Sequence, residues 1–148
     1  MSSARERLEN DVKAALKAGE KERLSTLRML LSEVKNEALR TNLEPDEPTF
    51  VSVVRKAIKQ RQEAATQYRD GHRPELADKE TREAEILSAY LPRQVPEDEI
   101  HAAAAEWLAA SGLSGKEAMG PAMKALKERF GATADGAVLN RVIRGLLS

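Results

Sequence analysis

The chain has 148 residues, 24 of them basic and 24 acidic, with 41% hydrophobic residues, 32% charged residues, only 3% aromatics and no cysteine. That length holds one core or two small helical units but no third large domain, and the balance is too apolar for disorder and too charged for a membrane protein. Zero formal charge removes any global pull toward nucleic acid or anionic lipid, so RNA affinity must come from a local patch; without cysteine there are no disulfides, thiol nucleophiles or thiolate metal sites.

Ala, Leu, Glu, Lys and Arg dominate, so an all-α fold is expected. The start, Met1-Ser2-Ser3-Ala4-Arg5-Glu6, has no apolar run and mixes acids with bases, which predicts no signal or transit peptide and a cytoplasmic protein. Leu8, Val12, Ala15 and Leu16 recur at helical spacing until Gly19, which suits a left-handed cap. A second, longer helix carries Leu24, Leu27, Leu30 or Leu31, Val34 and Ala38 and ends near Asn42. A third begins near Asp46 or Thr49, with Val51, Val54, Ile58, Ala65 and Tyr68 on one face and a basic opposite face, and stops at Asp70-Gly71. Pro74 fits the first turn of a fourth, whose apolar side is Leu76, Ile86, Leu87, Tyr90 and Leu91.

Pro92 to Pro96 holds two prolines in five residues and reads as the hinge between an N-terminal helical domain of about four helices, 1–93, and a C-terminal three-helix bundle, 94–148. Glu97, Asp98 and Glu99 favour a helix start, followed by Ile100, Ala104, Trp107 and Leu108. The apolar run from His101 to Ala110 is broken by Glu106 and falls far short of the roughly 20 residues of a membrane span. Ser114 and Glu117 form a candidate capping box for the next helix, bearing Met119, Met123, Leu126 and Phe130, with Pro121 expected to shorten or offset its start. After Gly131-Ala132-Thr133, Thr133 or Asp135 can cap a last helix carrying Val138, Leu139, Val142, Ile143, Leu146 and Leu147.

Chemistry is sparse. His72 and His101 share no ligand spacing with each other or with a carboxylate pair, and there is no phosphate loop, nucleophile elbow or zinc-protease motif, so no catalytic residue, metal or cofactor is assigned. Glu83 and Glu85 lie in an alternating-sign stretch that reads as a solvated, salt-bridged face. Arg55, Lys56, Lys59 and Arg61 make a basic stripe that either tracks phosphates or is an ordinary ion-paired face. Lys116, Lys124, Lys127, Arg129, Arg141 and Arg144 supply the C-terminal bases; their faces either converge near the Gly131 to Gly136 turn, where helix-start N–H groups can meet a phosphate, or are simply solvated. Trp107 and Phe130 lie on apolar stripes and read as core, not as stacking platforms.

Arg28-Met29, Lys59-Gln60-Arg61, Tyr90-Leu91-Pro92 with Gln94, Met119-Gly120 with Met123, and Ala134-Asp135-Gly136 with Asn140 form an ordered set that resembles the GatB/YqeY family over nearly the whole chain. The resemblance implies an N-terminal helical domain and a C-terminal domain similar to the tail of the B subunit of the tRNA-dependent amidotransferase. There the tail helps grip the tRNA body, while kinase and transamidase chemistry sits in a separate cradle domain that has no counterpart in this chain. The family's carbon–nitrogen ligase label, with glutamine as amide donor, therefore implies association with that chemistry. Relatives appended to an aminoacyl-tRNA synthetase point the same way. The expectation is a non-catalytic tRNA-binding or amidotransferase-associated accessory in translation, partnered by tRNA and by an amidotransferase or aminoacyl-tRNA synthetase, with no membrane and no cofactor. Gly120, Asp135 and Gly136 join Lys116, Lys124, Lys127, Arg141 and Arg144 as its candidate RNA site. Gly120 and Gly136 fall at expected helix starts, where glycine also serves backbone geometry alone. The alternative is a helical protein–protein adaptor without RNA binding.

Overall fold

The computed structural model describes residues 3–148, and Met1 and Ser2, at the head of the segment read for a leader, lie outside the described residues. The chain is all-helical, with no strand among the described residues, and divides into two compact units, residues 1–91 and 92–148.

The first unit holds α1 (Ala4–Ala18), α2 (Lys21–Thr41), α3 (Glu47–Asp70) and α4 (Pro74–Ser88). Local signals delimit them. The Ser3 hydroxyl accepts from the Glu6 amide, Gly19 takes the left-handed conformation that closes α1, and the Asp46 carboxylate accepts from the Thr49 amide at the start of α3. Asn42 closes α2 in the same left-handed region. The core joins Leu8, Leu27, Leu30, Val34, Phe50, Val54, Leu87 and Tyr90. Leu16, expected on the apolar stripe of α1, is 56% exposed because it sits at the edge of the arc defined by Leu8, Val12 and Ala15.

The pairing of α3 with α4 also corrects a reading of charge. Glu83, expected on a solvated face, is buried, because it lies on the stripe of Leu76, Leu87 and Tyr90 that packs inward.

The second unit holds α5 (Glu97–Ser111), α6 (Lys116–Phe130), a single 3-10 turn (Gly131–Thr133) and α7 (Gly136–Leu147) around Ile100, Ala104, Ala122, Leu126, Phe130, Leu139 and Ile143. Two expectations at α6 are overturned. Its N-cap is Gly115, at φ +61°, so Ser114 does not cap it and Ser114 with Glu117 makes no capping box. The helix also runs through Pro121, so Met119 and Gly120 lie inside it and not at its start. The helix survives because Pro121 is exposed and Gly120, lacking a Cβ, removes part of the clash between a proline ring and the residue before it.

Candidate nucleic-acid interface

Lys116, Gly120, Lys124 and Lys127 follow one another on α6 at spacings of four, four and three, which places them within an arc of about 80°. All four are exposed. The half-buried Met119 and Met123 border the arc on the core side, and the exposed Glu117 and Glu128 border it on the other. Among the described residues none of the three lysines makes an ion pair. A Cβ at Gly120 would meet nothing within 4 Å, so the middle of the stripe is open.

The stripe runs on to the start of α7. A Cβ built on Gly136 would lie 3.8 Å from Lys127 Cε, so the Lys127 side chain passes beside that start. Gly136, Asn140 and Arg144 share this flank of α7 at four-residue spacing. The helix start is less open than a row of free N–H groups: the Asp135 carboxylate accepts from the Ala137 amide at 3.0 Å and adds a negative charge there.

Arg141 is elsewhere. It lies about 60° around α7 from Arg144, and its side chain pairs with Glu97, beside a depression of about 490 Å³ lined also by Asp98, His101, Val142 and Gly145. The structure therefore gathers Lys116, Lys124, Lys127, Gly120 and Gly136, adds Arg144 on the neighbouring flank, leaves Asp135 as a cap and does not bring Arg141 to the group. Arg129 lies over the ring of Phe130, 5.4 Å from its centroid.

The stripe on α3 disperses. Lys59 is exposed, Arg55 is half-buried, and Lys56 lies near Glu37, whose carboxyl is held below its ordinary value first by Arg40 and more weakly by Lys56. Arg61 does not belong to an exposed stripe at all: it is 5% exposed, its Nη1 donates to the Ala57 carbonyl at 3.0 Å, and its Nε lies 3.7 Å from Glu83. The physical reason is its place four residues from both Ala57 and Ala65, on the buried face of α3. Reading Arg61 with its face instead of with its basic neighbours in sequence predicts this burial.

Among the described residues no three His, Asp or Glu side chains converge to hold a metal ion, and no helix is long and apolar enough to cross a membrane. The chain is 32% identical over 85 residues to a protein of Vanderwaltozyma polyspora named altered inheritance of mitochondria protein 41, mitochondrial, a match covering 57% of this chain and 46% of the relative. It is 26% identical over 129 residues to the protein of the same name from Pyrenophora tritici-repentis, covering 83% of this chain and 71% of the relative. The chain thus spans less than half the length of the first of these relatives. The family described as YqeY-like protein matches residues 5–147, nearly the entire chain, and this chain belongs to it.

Proposed function

We propose that the protein is a non-catalytic tRNA-binding accessory, acting beside a tRNA amidotransferase or an aminoacyl-tRNA synthetase, and that its grip on RNA is the lysine stripe of the second unit. The observation that carries this reading is the grouping of Lys116, Lys124 and Lys127 around the open Gly120, with no ion pair to neutralise them. Lysines held in this way neutralise phosphates and release condensed counterions, which supplies affinity without reading bases. The glycine leaves room for a sugar–phosphate strand to approach the helix between the cations. Carbon–nitrogen bond formation stays with the partner enzyme, and glutamine-dependent amidation by this protein alone should be undetectable. The cytoplasmic placement belongs to the same proposal; both fungal relatives carry mitochondrial names, and cell fractionation decides.

The test is binding of purified protein to bulk tRNA at about 50 and about 200 mM salt. Three phosphate contacts predict a log–log salt slope of roughly −2 to −3. Lys124→Glu combined with Lys127→Glu should abolish binding, while Arg141→Ala, already paired with Glu97, should leave it nearly unchanged. No binding at low salt, or a flat salt response, overturns the reading.

A further inference from the structure

The Arg28-Met29 pair sits on a face of α2 that nothing above accounts for. Ser25, Met29, Ser32, Asn36 and Leu39 recur at alternating spacings of four and three, the period of a helix-pairing seam, and all five are exposed. Leu43 follows just past the Asn42 cap. Leu39 is 79% exposed and Leu43 71%, in a unit that buries most of its other large apolar side chains. Together with Lys35, Ala38, Asn42, Arg5 and Glu44, the last two paired with each other, they line a groove of about 390 Å³ at the end of the seam, a seat for one bulky apolar side chain.

One edge of this seam carries Lys21, Arg28 and Lys35, each seven residues from the next and all exposed, with no ion pair among the described residues. No acid falls on the seam or on that edge. On the other edge Glu22 pairs with Arg82 and Glu37 with Arg40, which leaves Glu33 as the one acid there without an ion pair among the described residues.

We infer that this face of α2 docks an amphipathic helix of another protein, one with apolar residues along its own seam and acids on the edge that meets Lys21, Arg28 and Lys35. The charge pattern selects this occupant. In a second copy, antiparallel pairing sets the three cations against the same three cations, and in parallel pairing the attraction of Arg28 to Glu33 is offset by the repulsion of Lys35 from Arg40, so neither matches all three cations with acids. A nucleic-acid strand would find cations about 10.5 Å apart along one edge only, beside apolar Met29, Leu39 and Leu43, with no aromatic ring on the face for a base to stack on. The inference is independent of the tRNA reading, which concerns the other unit.

The experiment uses the full chain and a synthetic helical peptide of about three heptads with leucine along its seam and glutamate on its flanks, beside a twin with lysine flanks. Fluorescence anisotropy reads affinity and amide chemical shifts map the contact. The acidic peptide should bind with shifts confined to α2 and the Leu43 segment, and the lysine twin should bind at least about tenfold more weakly. Arg28→Glu with Lys35→Glu should invert that preference, and Leu39→Asp with Leu43→Asp should abolish binding of either peptide. All four positions are exposed, so the fold should persist; thermal melts confirm it, and unchanged tRNA binding by both variants separates this face from the lysine stripe of α6. Failure of both peptides to bind, affinity indifferent to these substitutions, or shifts on α2 produced only by tRNA or by anionic vesicles would each overturn the assignment.

Discussion

Arg61 and Glu83 face each other between α3 and α4 with Nε and Oε2 3.7 Å apart, both side chains withdrawn from solvent and Arg61 Nε without a hydrogen-bond partner. Burial raises the Glu83 carboxyl above its ordinary value of 4.5; Glu80 adds to the rise and Arg61 opposes it. Folding therefore favours the protonated form, so the native state holds more protons than the unfolded chain just above pH 4.5, and the contribution of Glu83 to stability falls as pH rises through that window. Glu83→Gln, which resembles the protonated acid and keeps an acceptor facing Arg61, should remove this slope and cost less at neutral pH than loss of the arginine. Arg61→Ala strands the carboxylate and should cost about 3–5 kcal/mol. Urea unfolding of the three proteins at about pH 5 and about pH 7.5 checks both statements. Equal losses for the two variants would show that the pair is net stabilising.

Tyr90 is the second charged knot in this unit. Its hydroxyl donates to the Asp11 carboxylate, the Arg7 guanidinium lies 4.7 Å from its ring centroid, and Phe50 meets its ring edge-on at 6.4 Å. Burial first, then the hydrogen bond and charge of Asp11, push the phenol well above its ordinary value of 10.0. A raised phenol pKa means stability that is fully present below about pH 10 and lost as pH climbs beyond it. Tyr90→Phe should lose about 1.5–3 kcal/mol at neutral pH, the range for a hydrogen bond to a charged acceptor, and less at alkaline pH. Ultraviolet titration should show a late tyrosinate transition in the parent protein that is missing from Tyr90→Phe.

These two knots also show which information a single chain carries openly. Helix ends were legible because their causes are local: Gly19, Asp46 and Asp135 act through their own backbone or one nearby amide. The burial of Arg61 and Glu83 depends on a neighbouring helix, and a reading by charge runs groups Arg61 with Lys59 when its face groups it with Ala57 and Ala65. The candidate site was legible in part for the same reason. The spacing of Lys116, Lys124 and Lys127 follows from one helix, whereas the approach of Lys127 to Gly136 and the departure of Arg141 toward Glu97 follow from how α6, α7 and α5 pack.

Gly120 and Pro121 should prove non-additive. Proline in a helix interior costs about 3 kcal/mol, and Pro121 is exposed with no packing to lose, so Pro121→Ala should stabilise the second unit by roughly 1–3 kcal/mol. Gly120→Ala has open space for its methyl group, yet in the parent protein that methyl meets the proline ring, so no gain is expected there. In the Pro121→Ala background the same change should add about 1 kcal/mol. A thermal double-mutant cycle reads the coupling; additive effects would show that the ring does not constrain Gly120.

Asp135 separates capping from RNA binding. Its carboxylate accepts from the Ala137 amide, which stabilises the start of α7, but it also places a negative charge beside Gly136 and the Lys127 side chain, where the proposed RNA contact ends. Asparagine caps nearly as well as aspartate, so Asp135→Asn should leave stability almost unchanged, whereas Asp135→Ala should cost about 1 kcal/mol. Both remove the charge. If a phosphate reaches the start of α7, both variants should therefore bind tRNA more tightly than the parent at low salt, with the difference shrinking as salt screens it. Tighter binding by Asp135→Ala alone would instead mean that freeing the Ala137 amide matters more than removing the charge. Unchanged binding in both would confine the RNA contact to the α6 stripe and exclude the start of α7 from it.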